Sequence, residues 1–512
     1  MKLEALLEGT GAELVAGSAR KLEIRAVTHD SRKVGRGDLF VAIPGTEADG
    51  AQFAPDAARA GAAAILAERR IDAGVPCFVV PDARRALAVV AANFYGKPAQ
   101  ELTLLAVTGT NGKTTTAFLL ESICAAGRAN VGLVGTVQYR YAGKTSQPTH
   151  TTPDALELHR LLREMIDAGT DTVVMEVSSH ALAQQRVHGL VFRAAAFTNL
   201  TRDHLDFHKD VEEYFQAKRR LFTECLSSGG VAVVNGDDTF AHRIYNELRG
   251  QKSHGGRPDG RMAWKFSMRG EGEISAAGVE FTLAGIRGTL KTPAGDIPFK
   301  SSLVGAHNLE NILAATGVAL GAGLSRRDVQ EGIERLRRVP GRMEQVEDRG
   351  VAALVDYAHT DDALRRSLEA LRPITRGRLL CVFGCGGDRD RGKRPLMGQA
   401  AGEGADLVIV TSDNPRTEDP DEIIAEITPG LEKVGLRRMS PAKARAGEKG
   451  YLVEADRRAA IALAAALAKS GDAILVAGKG HEAYQISGTE KHPFDDRAEV
   501  ERALRERSQG AE

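Results

Sequence analysis

The stretch Ala106 to Thr116, AVTGTNGKTTT, holds the residue types that grip phosphate. Glycines at Gly109 and Gly112 let backbone N–H groups turn inward, Lys113 offers a cation to the β- and γ-phosphates, and the Thr114 hydroxyl can ligate a divalent metal. The usual spacing G-x-x-x-x-G-K-[ST] would begin at Val107, but the glycine comes at Gly109 instead. That departure lowers the specificity of the pattern, and the flanking context must carry it. A plain glycine-rich turn with a surface lysine is the rival reading.

Further groups of titratable residues follow. Glu176, in VVMEVSSHAL, ends an apolar run where an unpaired carboxylate would be costly. FTNLTRDHLDFH sets Asn199, Asp203, His204, Asp206 and His208 after another apolar run. His204 and His208 are four apart and could share a helix face around zinc, as in a hydrolase. With a phosphate loop upstream, magnesium held by Glu176 and His204 against phosphate oxygens is the more economical reading. Lys218, in EEYFQAKRRLF, reads by itself as a surface lysine on a helix. Arg416, in TSDNPRTEDP, follows the turn Asn414-Pro415 and is either a solvated charge or a group presented at a strand end. Five scattered cysteines argue against a disulfide framework, and Cys381 with Cys385 lacks the second pair a structural zinc site needs.

These residues need elements to hold them. Apolar runs of strand length alternate with segments of helical period, which predicts an α/β chain with largely parallel sheets. The predicted strands are 102–108, 172–177, 194–198, 231–234, 353–356, 379–383, 407–411 and 473–477. Helices are predicted over 117–126 and 155–168. The candidate residues lie after the carboxyl ends of strands, where open parallel sheets bind ligands. Turn-rich breaks at 95–100 and 337–342 divide the chain into 1–98, 99–338 and 339–512. Residues 251–260 read as a surface loop, and the basic stretch 437–449 as an exposed insertion.

At 512 residues the chain is long enough for three domains. With 68 basic and 68 acidic side chains there is no global field to draw it to nucleic acid. No apolar run reaches the roughly eighteen residues a membrane-spanning helix needs. The first residues carry acid where a signal peptide carries base, so a cytoplasmic protein is expected.

Taken in order, GTNGKTT (109–115), TTP (151–153), EVSSHAL (176–182), NLTRDHLDFH (199–208), GAHNLENILAA (305–315), PGRME (340–344) and DYAHT (356–360) resemble the Mur ligase family, ATP-dependent amide-bond-forming enzymes of bacterial cell-wall synthesis. Asp361 departs from the family's usual proline. The resemblance implies an N-terminal UDP-binding domain, a central P-loop domain and a C-terminal Rossmann-like domain. It also implies ATP and Mg2+ as cofactors. It assigns ATP to Gly109, Thr110, Asn111, Gly112, Lys113, Thr114, Thr115, His307, Asn308, Asn311, Arg342 and Asp356. The UDP-sugar-peptide goes to His29, Ser31, Thr46, Thr151, Thr152, Ser178, Gln184 and Arg186. Lys113, Lys218, His204 and Glu176 become catalytic. Magnesium falls to Thr114, Glu176, His204 and Lys218, the last as an N6-carboxylysine.

GCGGDRDRGKRPLM, DNPR and AGKGHEAYQ resemble the member that adds the third amino acid, diaminopimelate. By that resemblance Arg389, Asp413, Asn414, Pro415, Arg416, Gly478 and Glu482 hold the incoming amino acid. A guanidinium suits its remote carboxylate and a carboxylate its remote ammonium. L-Lysine as the added amino acid is the alternative. Folate polyglutamate ligases share the P-loop but have no need of the N-terminal segment or DNPR. A non-catalytic nucleotide switch would leave Glu176, His204 and Lys218 unexplained.

Overall fold

The computed structural model describes residues 1–18, 22–45, 48–205, 207–250, 260–348 and 350–509. Thr46, Asp206 and loop residues 251–259 lie outside them. All eight predicted strands form, with ends displaced mostly by one or two residues; the largest extension is Leu226–Asn235.

The central sheet has eight strands. Thr103–Thr108 runs in its middle, parallel to Thr172–Glu176 on one side and Phe192–Phe197 on the other. Leu104 and Ala106 enter one core and Leu105 and Val107 the other. A strand apolar on both faces belongs inside a parallel sheet covered by helices. Here the covers are Ala155–Asp167, Val211–Thr223 and Thr239–Gly250 on one face, and Lys113–Ala126, Ala306–Gly321 and Arg326–Arg335 on the other. Val107 is therefore a core residue of the strand, which is why no glycine stands there.

A smaller sheet joins Glu13–Ala16, Cys77–Val79, Ala64–Ala67, Leu39–Val41 and Val27–Thr28 in that order, antiparallel only at its first pair. The C-terminal sheet orders Glu344–Asp348, Val351–Asp356, Ala473–Ala477, Leu379–Phe383, Leu407–Val410 and Gly450–Val453, all parallel except the first. Its two faces carry separate cores. The basic stretch 437–449 is mostly exposed, as expected, but winds one short helix, Pro441–Ala446, that buries Ala444. Among the described residues no helix is long and apolar enough to cross a membrane.

Candidate active site

Because three neighbouring strands of the central sheet run parallel, the loops after Thr108, Glu176 and Phe197 leave from one edge. Gly109 and Gly112 have φ of +147° and +87°. A Cβ on Gly109 would lie 1.9 Å from Thr198 Oγ1, and one on Gly112 would lie 2.3 Å from Asn311 Oδ1. Only glycine allows this close winding. Asn199 Oδ1 accepts from the Asn111 N–H at 2.9 Å, and the Thr198 hydroxyl donates to the Asn111 carbonyl at 2.6 Å.

Two lysine side chains converge on this loop. Lys113 Nζ donates to the carbonyls of Gly109 (2.9 Å) and Thr110 (2.8 Å), and Lys218 Nζ donates to Gly109 at 2.8 Å. Lys218 is 1% exposed and lies 4.5 Å from the centre of the Tyr214 ring. Its surface reading is thus overturned: the helix turns this face inward with Phe215, Leu221 and Phe222. Burial, helped by the charge of Lys113, pushes the Lys218 amine well below its ordinary pKa.

Glu176 is fully buried. Its carboxylate accepts from the Thr114 hydroxyl (3.0 Å), the Thr136 N–H (2.9 Å) and the Thr136 hydroxyl (3.0 Å), which compensates its desolvation. Segments from the C-terminal sheet close the other side. Arg342 Nη2 donates to Thr114 Oγ1 at 3.2 Å with its guanidinium over the Tyr357 ring, and Asn111 Nδ2 donates to Asp362 at 3.0 Å. Asp356 accepts from the Met343 N–H, the Ala358 N–H and the Ser367 hydroxyl. Asn311 Nδ2 donates to Asn308 Oδ1 at 2.9 Å, while burial lowers the pKa of His307. The cleft between them, about 490 Å³, has room for a nucleotide's phosphates beside a second ligand.

His204 lines this cleft with φ +53°, its Nε2 3.4 Å from Asp203 and its ring edge-on to His180. His208 packs against Phe207 and Tyr214. Among the described residues no three Asp, Glu, His or Cys side chains gather as a metal site. Of the four magnesium ligands expected, Thr114 and Glu176 meet directly, and His204 and Lys218 line the same cleft as separate groups. Cys381 and Cys385 are buried free thiols, the latter against Met397.

A second cleft of about 1070 Å³ adjoins the first and shares Asp203, His204, Tyr357 and His359 with it. Arg389, Asp413, Asn414, Arg416, Gly478 and Glu482 all line it, each following the carboxyl end of a strand. Arg416, half-buried with φ +51°, is no freely solvated charge: Nη1 donates to the Gly387 carbonyl at 2.7 Å. Asn414 Nδ2 donates to Glu482 at 2.9 Å, and burial with the nearby Asp413 raises the Glu482 pKa. Pro415 is buried and does not line the cleft; it shapes the turn.

Three stretches match models of one family: residues 23–95 the Mur ligase family catalytic domain, 107–319 the Mur ligase middle domain, and 341–480 the Mur ligase glutamate ligase domain. A protein of Gloeobacter violaceus named UDP-N-acetylmuramoyl-L-alanyl-D-glutamate--2,6-diaminopimelate ligase is 48% identical over 99% of this chain and 99% of its own. A protein of the same name from Geobacter metallireducens is 47% identical over 96% of each. The chain belongs to the Mur ligase family. A solved structure described by the same ligase name covers 96% of this chain and 97% of its own, at a TM-score of 0.69 and 35% identity.

In this Mur ligase Thr151, Ser178 and Arg186 line the first cleft beside Thr136 and His150. Thr152 and Gln184 stand behind them: the Thr152 hydroxyl donates to the Glu176 carbonyl at 2.8 Å, and Gln184 Oε1 accepts from Arg186 at 2.8 and 3.1 Å. His29 is exposed and Ser31 opens the short 3-10 turn Ser31–Lys33; neither lines either cleft. Sequence reasoning missed Thr136, Tyr357, His359 and Lys479. His359 sits in DYAHT, so a signal was present; Thr136 is found only through the pairing of Thr172–Glu176 with Val131–Val134.

Proposed function

We propose that this Mur ligase joins meso-2,6-diaminopimelate to the D-glutamyl γ-carboxylate of UDP-N-acetylmuramoyl-L-Ala-D-Glu, consuming ATP, as a cytoplasmic monomer divided at 98/99 and 338/339. The observation that carries the reading is the second cleft, whose charged lining includes Arg389, Arg416, Asp413 and Glu482. Two cations and two carboxylates suit an amino acid whose far end is itself a zwitterion.

In the reaction a carboxylate oxygen attacks the γ-phosphorus, ADP leaves, and an acyl phosphate remains. The amine then attacks the acyl carbon, phosphate leaves, and one proton is released. Lys113 balances charge on the transferring group, and the loop N–H groups hold the phosphates still. The buried oxygens of Thr114 and Glu176 fit magnesium, with His204 and Lys218 beside them; bound there, the ion would neutralise phosphate charge. The depressed pKa of Lys218 favours the free amine, the form that adds CO2 to give a carbamate and a proton.

The test is phosphate release with ATP, magnesium and the UDP-dipeptide, offered meso-diaminopimelate or L-lysine separately. Release with diaminopimelate at tenfold or greater preference is expected. Preference for lysine would overturn the choice of amino acid.

A further inference from the structure

Lys479 is fully buried behind the second cleft and does not line it. Its position follows from local geometry: Gly478 and Gly480, at φ +120° and +54°, curl the chain after Ala473–Ala477. A Cβ on Gly480 would meet Tyr357 Cβ at 2.7 Å, so the curl presses Lys479 inward. Its Nζ donates to Asn414 Oδ1 at 2.7 Å and to the Tyr484 carbonyl at 2.9 Å, and stands 3.2 Å from Asp413 Oδ1.

Asn414 Oδ1 also accepts from the Ile486 N–H at 3.0 Å. Both lone pairs of that oxygen therefore face fixed donors. A flipped amide would set two N–H hydrogens against an ammonium and a backbone N–H, and its oxygen against Glu482. With the amide pinned, Nδ2 gives one hydrogen to Glu482 at 2.9 Å, and because Asn414 borders the cleft the other hydrogen is the one a ligand oxygen would meet.

We propose that Lys479 is a positioning residue for the amino-acid site, locking the Asn414 amide as a donor and, by its ion pair, orienting Asp413. The inference rests on the functional reading above. Without Lys479 the amide is held only by the Ile486 N–H and Glu482, so a turned amide, which would present an acceptor where the ligand's carboxylate needs a donor, becomes less costly.

The test is a double-mutant cycle on K479M and N414A, read as KM for each substrate, with thermal melting to check the fold. K479M is expected to raise KM for meso-diaminopimelate tenfold or more, leaving KM for ATP and UDP-dipeptide within twofold. The loss in the double variant should be smaller than the product of the two single losses. K479Q, whose amide can still donate to Asn414, should recover part of the loss, and it replaces K479M in the cycle if K479M does not melt cooperatively. A KM for diaminopimelate within twofold of wild type, or effects that multiply in the double variant, would overturn the inference. Wild-type turnover with diaminopimelate checks the functional reading independently.

Discussion

Replacing Arg416 by Ala removes a guanidinium without removing its support. The Arg416 N–H donates to the Ile486 carbonyl at 3.1 Å and its carbonyl accepts from Gly488 at 2.7 Å, so the backbone stays anchored to the hairpin Tyr484–Pro493. The left-handed φ of +51° strains alanine as it strains arginine, so it contributes nothing to the difference. What is lost is the charge-assisted bonding to the ligand's far carboxylate. A hydrogen bond to a charged group is worth about 1.5–3 kcal/mol. At about 2–3 kcal/mol for this half-buried group, kcat/KM for meso-diaminopimelate should fall roughly 30- to 150-fold. L-Lysine has no such carboxylate, so its low turnover should hardly change. The assay is phosphate release against amino-acid concentration at saturating ATP and UDP-dipeptide. A loss under threefold for diaminopimelate, or an equal loss for lysine, would refute Arg416 as the reader of the far carboxylate.

Lys113→Ala should lower kcat by about 100-fold or more, the scale of losing one preorganised charge stabiliser, while thermal melting stays near wild type. Lys218→Ala should lose activity that a short-chain carboxylic acid restores in part and bicarbonate does not; full activity in the bare variant would remove the carbamate. Asp496→Asn breaks a buried pair in which both side chains are wholly inaccessible, with bonds of 2.7 Å from both Nε and Nη2 of Arg457; urea unfolding should show about 3–5 kcal/mol lost. Among the described residues His159 has no hydrogen-bond partner on either ring nitrogen, and burial lowers its pKa from 6.5 to about 4. The unfolded chain takes up that proton first, so the stability held above pH 6.5 drains as pH falls toward 4, by about 3 kcal/mol. Unfolding measured across that range should flatten in His159→Leu.

How much of this was legible depended on whether a residue's role is local. The strands could be read because Leu104 to Val107 are apolar on both faces, a pattern only a covered parallel strand satisfies. The phosphate loop was legible because its glycines and lysine are contiguous. Lys218 was legible only through the family resemblance, since a lone lysine on an amphipathic helix gives no sign that its face is turned inward toward a carbonyl 109 residues away. Thr136 was missed for the same reason: its bonds to Glu176 exist only through strand pairing. Lys479 lay inside a quoted motif, yet nothing in AGKGHEAYQ says that two flanking glycines press the lysine side chain into the wall.

Asp203, His204, Tyr357 and His359 border both clefts. An acyl phosphate is a mixed anhydride, and any journey through solvent would let water destroy it. With a common wall, the activated carbon and the arriving nitrogen need no transport step between them. The yield of peptide bonds per ATP spent is then set by where that wall stands, and leakage should rise when any of the four side chains is shortened enough to admit water.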